Sequence, residues 1–465
     1  MAGPPSHIRF DHGMTRRALL HRASAGLAAS LAEPFLPAWS EAGQADSASG
    51  NTPLTPDLMP KEFSVAEFGR RWRELRERMR ANQFDCLLIP QHRPGAMIPE
   101  RPDGDADVQY LTGIPAGWVV FPYEGKITAI STGQLKPLLA LKRPVHGIVL
   151  TSMYAQNSKD IEIRFTEEEG AWSGPIIDCL RERGMTEARI GVGSLVDIFR
   201  NEEGSVNYTT FDRVRRALPQ ARFGSAGDLL WRVKLVHSPE EIAVLEKATE
   251  VSEAGLRAMM QTTRPGILQR EVWLSVFHAM VEASGERPWR VSLRAGAEGN
   301  TALGFPLEEV FGHGQILNQE ISGSVLGYGS QVNHSVVVGS PAPADWPAAA
   351  QYCLDTFRHL LDMVRPGRNV NELCDFYELR MKARGGKGGG VFLHSGGLSD
   401  LPRWGPGRDE GVGITLEAGM VFDIKPSAPI QGASPMPQFG DSVVVTEKGA
   451  RRLGKRKMEI IALGA

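Results

Sequence analysis

The chain has 465 residues, of which 42% are hydrophobic and 23% are charged, and its 52 basic and 54 acidic residues leave a formal net charge of -2. At about 150 residues per domain, this length predicts two or three domains, and the ordinary composition excludes collagen-like, coiled-coil and wholly disordered proteins. The balanced charge provides no overall field for nucleic acid or an anionic membrane, and no apolar run reaches the roughly 20 residues that a spanning helix needs.

The first fifty residues differ in kind from the rest. Arg16 and Arg17 precede an apolar stretch rich in Ala and Gly that runs to about Ala32, and small residues with proline follow as far as Asn51. Paired arginines before a modest hydrophobic region are typical of a twin-arginine export signal. We therefore predict that residues 1–50 are an export signal and linker and that the mature protein is periplasmic or extracellular. The alternative is a disordered tail on a cytoplasmic protein.

Residues 51–225 alternate helical patterns with short apolar runs. Apolar residues at helical spacing predict a first helix over 64–82, and the run 86–90 is suited to a buried strand. Two apolar runs on either side of a Tyr-Glu-Gly-Lys turn predict a strand pair over 118–130, followed by a helix at about 176–183 and a strand at 189–193. This alternation predicts an α/β domain.

Residues 226–465 form the second predicted half. Ser238, Pro239 and Glu241 form a capping box with proline at the first helical position, which predicts a helix to about Gln261. A strand-rich stretch over 315–339, two helices over 346–364 and 370–384, and paired strands near the end follow. An Arg-Pro-Gly at 264–266 and another at 365–367 are each followed by a glutamate at the same offset, which suggests a duplicated unit.

Several sequence landmarks, in order, carry a family resemblance. They are Asp107–Gly113, Trp231–Lys234 with Ser238–Glu241, Arg264–Gly266, Val421–Pro426 and Asp441–Thr446. Together they resemble the pita-bread hydrolases, a superfamily that includes aminopeptidase P, prolidase, methionine aminopeptidase and creatinase. The resemblance implies a creatinase-like α/β N-terminal domain followed by an α+β pita-bread catalytic domain with internal duplication.

The metal positions of that superfamily are degenerate in this chain. Its metallopeptidases hold two divalent ions with two Asp, one His and two Glu, and those five positions fall here on Glu320, Gln331, His394, Lys425 and Gly440. Only the glutamate and the histidine remain plausible ligands, and the lysine brings a positive charge to the place of a cation. Because Glu320 and Lys425 cancel, we expect a pocket that is balanced without ions, and we predict neither a metal nor another cofactor.

Creatinase, which works without metal, is the useful precedent within the resemblance. By that analogy His394 is the candidate general base, Glu320 fixes its tautomer or activates a water, and Lys425 stabilises an oxyanion or holds a substrate carboxylate. The predicted substrate-binding residues are Gln331, Asn333, His334 and Asp423. By strand alternation Gln331 and Asn333 share one face, as do Asp423 and Lys425. The structural alternative is a buried ion pair beside a hydrogen-bonded histidine.

Three hypotheses for function follow from these residues. The first is a metal-independent hydrolase, or a related C–N bond enzyme, for a small amino-acid or peptide-like substrate. The second is a non-catalytic pita-bread module that binds such a ligand. The third, favoured least, is a metal-dependent Xaa-Pro aminopeptidase or dipeptidase. The expected partner is a small molecule or short peptide, with no nucleic acid and no membrane span, and members of the superfamily often pair as homodimers.

Overall fold

The computed structural model describes residues 62–90, 106–113, 117–133, 136, 159–166, 171–195, 204–295, 308–386, 392–398, 402–405, 413–430 and 436–464. The helices are α1 Val65–Asn82, α2 Ala106–Thr112, α3 Ser173–Glu182, α4 Tyr208–Ala217, α5 Gly227–Leu235, α6 Pro239–Thr262, α7 Gln269–Ser284, α8 Trp346–Met363 and α9 Val370–Ala383. The predicted export signal lies outside the described residues and stays a prediction.

The strands belong to two sheets. The first contains β1 Cys86–Ile89, β2 Trp118–Pro122, β3 Ile127–Thr132, β4 Ile161–Thr166, β5 Arg189–Val192 and β6 Arg222–Ser225. The second contains β7 Arg290–Ala295, β8 Gln315–Val325, β9 Tyr328–His334, β10 Val336–Val338, β11 Leu393–Ser395, β12 Arg403–Trp404, β13 Val421–Ile424, β14 Phe439–Thr446, β15 Gly449–Arg452 and β16 Ala462–Leu463.

The first sheet is mixed, with strand order β4-β3-β2-β1-β5-β6. Its central strand β1 is buried at every position, as its continuous apolar sequence predicts. The strand pairs β1/β5 and β5/β6 are parallel, whereas β1/β2 and β2/β3 are antiparallel. Helix α1 begins at the Ser64 cap and buries Phe68, Trp72, Leu75 and Met79, the four positions that its periodicity selects. The predicted α/β N-terminal domain is confirmed.

The second sheet has ten strands, in the order β12-β11-β13-β14-β9-β8-β10-β16, with β7 paired to β8 and β15 paired to β14. All of these pairs are antiparallel except β10/β16. The apolar face of α6 packs on this sheet, where Leu245, Ala248 and Val251 share a core with Ile321 and Val332. Helices α8 and α9 share a second core with β11, β13 and β14. This is the predicted α+β domain.

The two Arg-Pro-Gly segments occupy equivalent places. Gly266 and Gly367 both have positive φ angles, 81° and 85°, which glycine adopts without steric cost. Each lies between two helices and donates its backbone N–H to a carbonyl oxygen of a later extended segment, Phe311 for the first and Leu416 for the second. The repeated turn geometry confirms the internal duplication that the sequence echo predicts.

A buried ion cluster joins α1 to the start of α6, and we call it the α1–α6 ion cluster. Its members are Glu67, Arg70, Arg71, Tyr110, Glu241 and Tyr328. The Arg71 guanidinium donates to Glu67 Oε1 at 2.7 Å and lies 3.3 Å from Glu241 Oε1. Tyr328 Oη also donates to Glu241 Oε1, at 2.6 Å. Two arginines therefore face two buried glutamates, and Arg70 also pairs with the partly exposed Glu74 at 3.2 Å.

Among the residues that the structure describes, each helix is too short or too polar to cross a bilayer.

Candidate active site on the second sheet

The candidate side chains lie in rows across one face of the second sheet. In the first row, His394 is paired with Arg403 on one side and Asp423 on the other, and Asp423 is paired with Ser442. In the second row, Gly440 is paired with Asn333, and Glu320 is paired with Ser292. Directly opposite residues in a sheet share a face, so the register itself brings these distant parts of the sequence together.

Glu320 is the centre of the second row. Its carboxylate lies 2.9 Å from Lys425 Nζ and 3.0 Å from the Arg294 guanidinium, and its Oε2 also accepts from Arg290. Burial opposes ionisation of this carboxylate, but the Lys425 ammonium and the two guanidiniums outweigh it and hold the pKa well below its ordinary value. Glu320 is therefore an anion held by three cations.

Lys425 follows β13 directly and is buried at 5% exposure. Burial lowers the pKa of its ammonium to about 8, with repulsion from Arg290 and Arg403 adding to the effect and Glu320 opposing it. Its Nζ lies 3.5 Å from Gln331 Oε1 as well as beside Glu320. The ammonium thus lies between two side chains at positions that hold metals in the resembled metallopeptidases.

His394 faces a different carboxylate from the one that the sequence suggested. Its Nδ1 lies 2.9 Å from the Ser395 carbonyl oxygen and 3.5 Å from Asp423 Oδ2, so Asp423 rather than Glu320 orients the ring. Burial raises the pKa of Asp423 to about 7, although hydrogen bonding from Ser442 opposes the shift. The expectation that Glu320 fixes the tautomer is corrected, because Glu320 is engaged with cations instead.

The other ring nitrogen of His394 faces Gln331. His394 Nε2 lies 3.1 Å from Gln331 Oε1. The Gln331 amide is oriented by donating to Asn333 Oδ1 at 3.3 Å, and Asn333 in turn donates to the Gln319 carbonyl oxygen at 2.8 Å. The Ser395 carbonyl can only accept, so the two ring nitrogens lie within hydrogen-bonding distance of a backbone carbonyl oxygen and of the Gln331 amide oxygen.

His334 is the one predicted site residue that the structure does not bring to this face. It lies next to Asn333 in β9 and therefore points to the opposite side of the sheet. Its Nε2 lies 2.8 Å from the Glu459 carbonyl oxygen, and its ring packs edge-on against Phe439. Burial, with the charge of Arg456, lowers its pKa to about 4. Predicted substrate contact by His334 is not supported by this placement, whereas the predicted shared face of Gln331 and Asn333 is confirmed.

Three arginines at the site were missed by sequence reasoning. Arg290 and Arg294 lie on β7, two residues before and after Ser292, and both contact Glu320. Arg403 pairs with His394 across β11 and β12. The pocket contains more charges than the sequence analysis counted, because these guanidiniums lie beside the Glu320–Lys425 pair. The alternating Arg-x-Ser-x-Arg pattern over 290–294 is the sequence signal that could have placed Arg290 and Arg294 on one face of a strand.

The donor set does not fit a pair of divalent ions. Of the five family positions, Gln331 offers a neutral amide, and Gly440 offers no side chain. A Cβ at residue 440 would lie 2.5 Å from the Ile424 carbonyl oxygen and 2.7 Å from Lys425 Cβ, so this position has room only for glycine. Within the described ranges, no group of three or more His, Cys, Asp and Glu side chains is placed to hold a metal ion.

Comparison with known proteins decides the family. Residues 71–236 match the Creatinase/Prolidase N-terminal domain, and residues 243–447 match Metallopeptidase family M24. This chain belongs to the pita-bread superfamily. The two matches correspond to the two sheets described above, so the creatinase-like N-terminal domain and the pita-bread C-terminal domain are both shown.

Relatives of this pita-bread protein include peptidases and one hydrolase of another kind. An Xaa-Pro dipeptidase of Pyrococcus furiosus is 24% identical over 263 residues, which cover 56% of this chain and 74% of that protein. An ectoine hydrolase of Halomonas elongata is 22% identical over 255 residues, covering 51% of this chain and 62% of that protein. A dipeptidase structure from Mycobacterium ulcerans superposes with a TM-score of 0.68 at 20% identity, covering 87% of this chain and 100% of that one. The last likeness shows the fold.

Proposed function

We propose that this pita-bread protein is a metal-independent hydrolase that cuts a C–N bond in a small amino-acid or peptide-like substrate. The observation that carries the proposal is the position of the Lys425 ammonium, 2.9 Å from Glu320 and 3.5 Å from Gln331. A cationic side chain fixed between these two groups repels a divalent ion and supplies a positive charge of its own. Both the dipeptidase and the ectoine hydrolase relatives are hydrolases by name, which supports the reaction class.

His394 is the proposed acid–base group. It enters as an acid and transfers its Nε2 proton to the leaving nitrogen as the C–N bond breaks, while a water oxygen forms the new bond to carbon. The ring recovers a proton from that water, so it ends as it began, and the products are an acid and an amine. Asp423, 3.5 Å from Nδ1, stabilises the charged ring. Lys425 is placed to stabilise negative charge that develops on the carbonyl oxygen.

Elemental mass spectrometry on protein purified without a polyhistidine tag tests metal independence. We expect far less than one equivalent of zinc, manganese or cobalt, and turnover of a small-amide panel that a chelator does not reduce. About two equivalents of metal, in agreement with a dinuclear site, would overturn the proposal and return the protein to the metal-dependent Xaa-Pro peptidases.

His394→Ala tests the acid–base role. We expect turnover to fall by about 100-fold or more, the usual range for loss of a general acid–base group. His278→Ala is the matched control, because the His278 side chain is 81% exposed on α7 and touches no part of the site. Equal activity of both variants would contradict the role of His394.

Ligand binding without catalysis is the second candidate, and one observation favours it. Glu320 is already held by Lys425, Arg290 and Arg294, so it is not free to act as a base. Binding of a ligand with no turnover of any member of the amide panel would support this alternative over hydrolysis.

A further inference from the structure

Two contacts of the His394 ring lead to a single hydroxyl group, that of Ser442. On one side of the ring, Nδ1 lies 3.5 Å from Asp423 Oδ2, and on the other side, Nε2 lies 3.1 Å from Gln331 Oε1. The Ser442 hydroxyl donates to the second carboxylate oxygen of Asp423, Oδ1, and accepts from the backbone N–H of Gln331 at 3.0 Å. Ser442 therefore links the two residues between which the ring lies.

The strand register explains why one serine reaches both residues. Asp423 on β13 is paired with Ser442 on β14, so their side chains lie on the same face of the sheet. On the other side of β14, residues 439–441 pair with residues 332–334 of β9 in reverse order. The next N–H along β9, that of Gln331, donates to the serine hydroxyl. The side chain thus adds one hydrogen bond at the end of this pairing.

The chemistry of the donors gives each hydrogen bond of Ser442 one direction. A backbone N–H can only donate, so the serine oxygen accepts from Gln331. A hydroxyl has a single hydrogen, and that of Ser442 is directed at Asp423 Oδ1. With Oδ1 bound in this way, the carboxyl group is restricted in its rotation, and Oδ2 stays towards His394 Nδ1. The hydroxyl therefore fixes which carboxylate oxygen faces the ring.

Burial makes these hydrogen bonds strong constraints. Ser442 is fully buried, and Gln331, His394 and Asp423 are only 3–5% exposed. A buried polar group that loses its partner is destabilising, because water is not at hand to replace that partner. An alanine at residue 442 would leave the Gln331 N–H without this acceptor and Asp423 Oδ1 without this donor, so both neighbours of the ring would be less well fixed.

We propose that Ser442 is a positioning residue that holds the His394 ring in the orientation that the reaction uses. It acts from both sides of the ring, through the Asp423 carboxylate and through Gln331. The role in the reaction rests on the proposed function, whereas the positioning of the ring does not. A less well fixed ring presents its Nε2 proton to the leaving nitrogen in the right geometry less often, so turnover falls. Ser442 itself transfers no proton and forms no bond to substrate.

Nitrogen-15 NMR of the full chain, labelled at the histidine ring nitrogens, tests the positioning without a substrate. The His394 signals are identified by their absence from His394→Ala. We expect Ser442→Ala to move both of these signals, because the groups that face both ring nitrogens change position. Ser330→Ala is the matched control, since Ser330 is also buried, on β9, and its hydroxyl has no hydrogen-bond partner among the residues that the structure describes. Unchanged His394 signals in folded Ser442→Ala would overturn the proposal.

Turnover of the small-amide panel tests the role in the reaction. We expect Ser442→Ala to lower kcat about tenfold, the scale of one hydrogen bond to a charged group, with KM little changed, because Ser442 acts on the ring rather than on the ligand. Ser330→Ala should keep the full rate. In the His394→Ala background, Ser442→Ala should lower kcat no further, because both of its contacts act through that ring. A second tenfold fall there would overturn the proposal.

Thermal melting checks that the variants fold. If Ser442→Ala does not fold, Ser442→Cys takes its place in both experiments, because a thiol is a weaker donor of similar shape. A folded cysteine variant with neither effect would overturn the proposal.

The two experiments separate this inference from the proposed function. Shifted His394 signals in a protein that hydrolyses no member of the panel would support the positioning of the ring but overturn the hydrolase proposal, and with it the role of Ser442 in a reaction. Full turnover by folded Ser442→Ala would leave the hydrolase proposal standing and overturn the role of Ser442.

Discussion

Two buried ionic clusters in this molecule differ in where they lie in the fold. In the α1–α6 ion cluster two arginines bind two buried glutamates, and the Tyr328 hydroxyl and the Tyr110 carbonyl oxygen complete the hydrogen bonding of Arg71. On the polar face of the second sheet, Lys425 and two arginines contact Glu320. The first cluster joins two helices, whereas the second lies at positions that hold metals in the resembled metallopeptidases.

This difference separates a structural role from a binding role better than burial does. Glu67 and Glu320 are both buried, and the pKa of each is held below its ordinary value by neighbouring cations that outweigh burial. The distinction appears only when the place of each carboxylate in the fold is considered. We therefore expect changes in the first cluster to alter stability and changes in the second to alter binding.

The largest expected effect is in the α1–α6 ion cluster. Arg71→Ala removes the fully buried guanidinium that pairs with Glu67 and Glu241 and leaves the partly exposed Arg70 as their remaining cation, and loss of one member of a buried ion pair costs about 3–5 kcal/mol. Chemical denaturation gives the free energy of unfolding, and the difference from the unaltered protein measures this cost. Arg215→Ala, at a side chain that is 62% exposed and paired with Asp212, should change stability by less than about 1 kcal/mol. A similar small loss in both variants would show that the cluster is not structural.

A smaller loss of stability is expected at Gly440, which lies against Lys425 on the second sheet. Gly440→Ala places a methyl group against the Ile424 carbonyl oxygen and Lys425 Cβ, and such overpacking costs about 1–3 kcal/mol. Displacement of Lys425 should also reduce turnover of the small-amide panel. Gly449→Ala is the control, because a Cβ there meets nothing within 4 Å. If both alanines were tolerated equally, the close contact at residue 440 would not restrict this position.

The smallest expected effect is a contrast in pH dependence. The pKa of Asp423 is raised to about 7, chiefly by burial, so the stability that its protonated form contributes is present at low pH and is lost as pH rises through about 7. Relative to the unaltered protein, Asp423→Asn should therefore gain stability as pH rises from about 4 to about 7, by about 1 kcal/mol or more.

Glu67→Gln should show the opposite sign. The pKa of Glu67 is lowered, because Arg70 and Arg71 outweigh burial, so its contribution is present above its ordinary pKa and is lost as pH falls. Unfolding curves at several pH values compare the two variants. Parallel pH profiles would remove the electrostatic distinction between the clusters.

The sequence was sufficient to predict the elements and much of the site, for identifiable reasons. The capping box at Ser238 and the apolar spacing of α1 are local signals, and the structure confirms both. Strand alternation correctly placed Gln331 with Asn333. The same rule, applied one residue further, would have turned His334 to the other face.

The site residues that the sequence analysis missed could not be identified from local sequence patterns. Arg290 and Arg294 reach Glu320 only because β7 pairs with β8 in a register that puts Ser292 opposite Glu320. Such a register depends on tertiary packing rather than on spacing along the chain. The role of Asp423 beside His394 likewise depends on the pairing of β11 with β13.

The contact between Gly440 and Lys425 has a consequence for how this site could have changed over evolutionary time. A glutamate reintroduced at residue 440 would collide with the backbone at Ile424 and with the lysine stem. A carboxylate reintroduced at residue 425 would lie near Glu320 without a cation in that place. Each single reversal is therefore unfavourable by itself, so a dinuclear metal site could form only if residues 331, 425 and 440 all changed together.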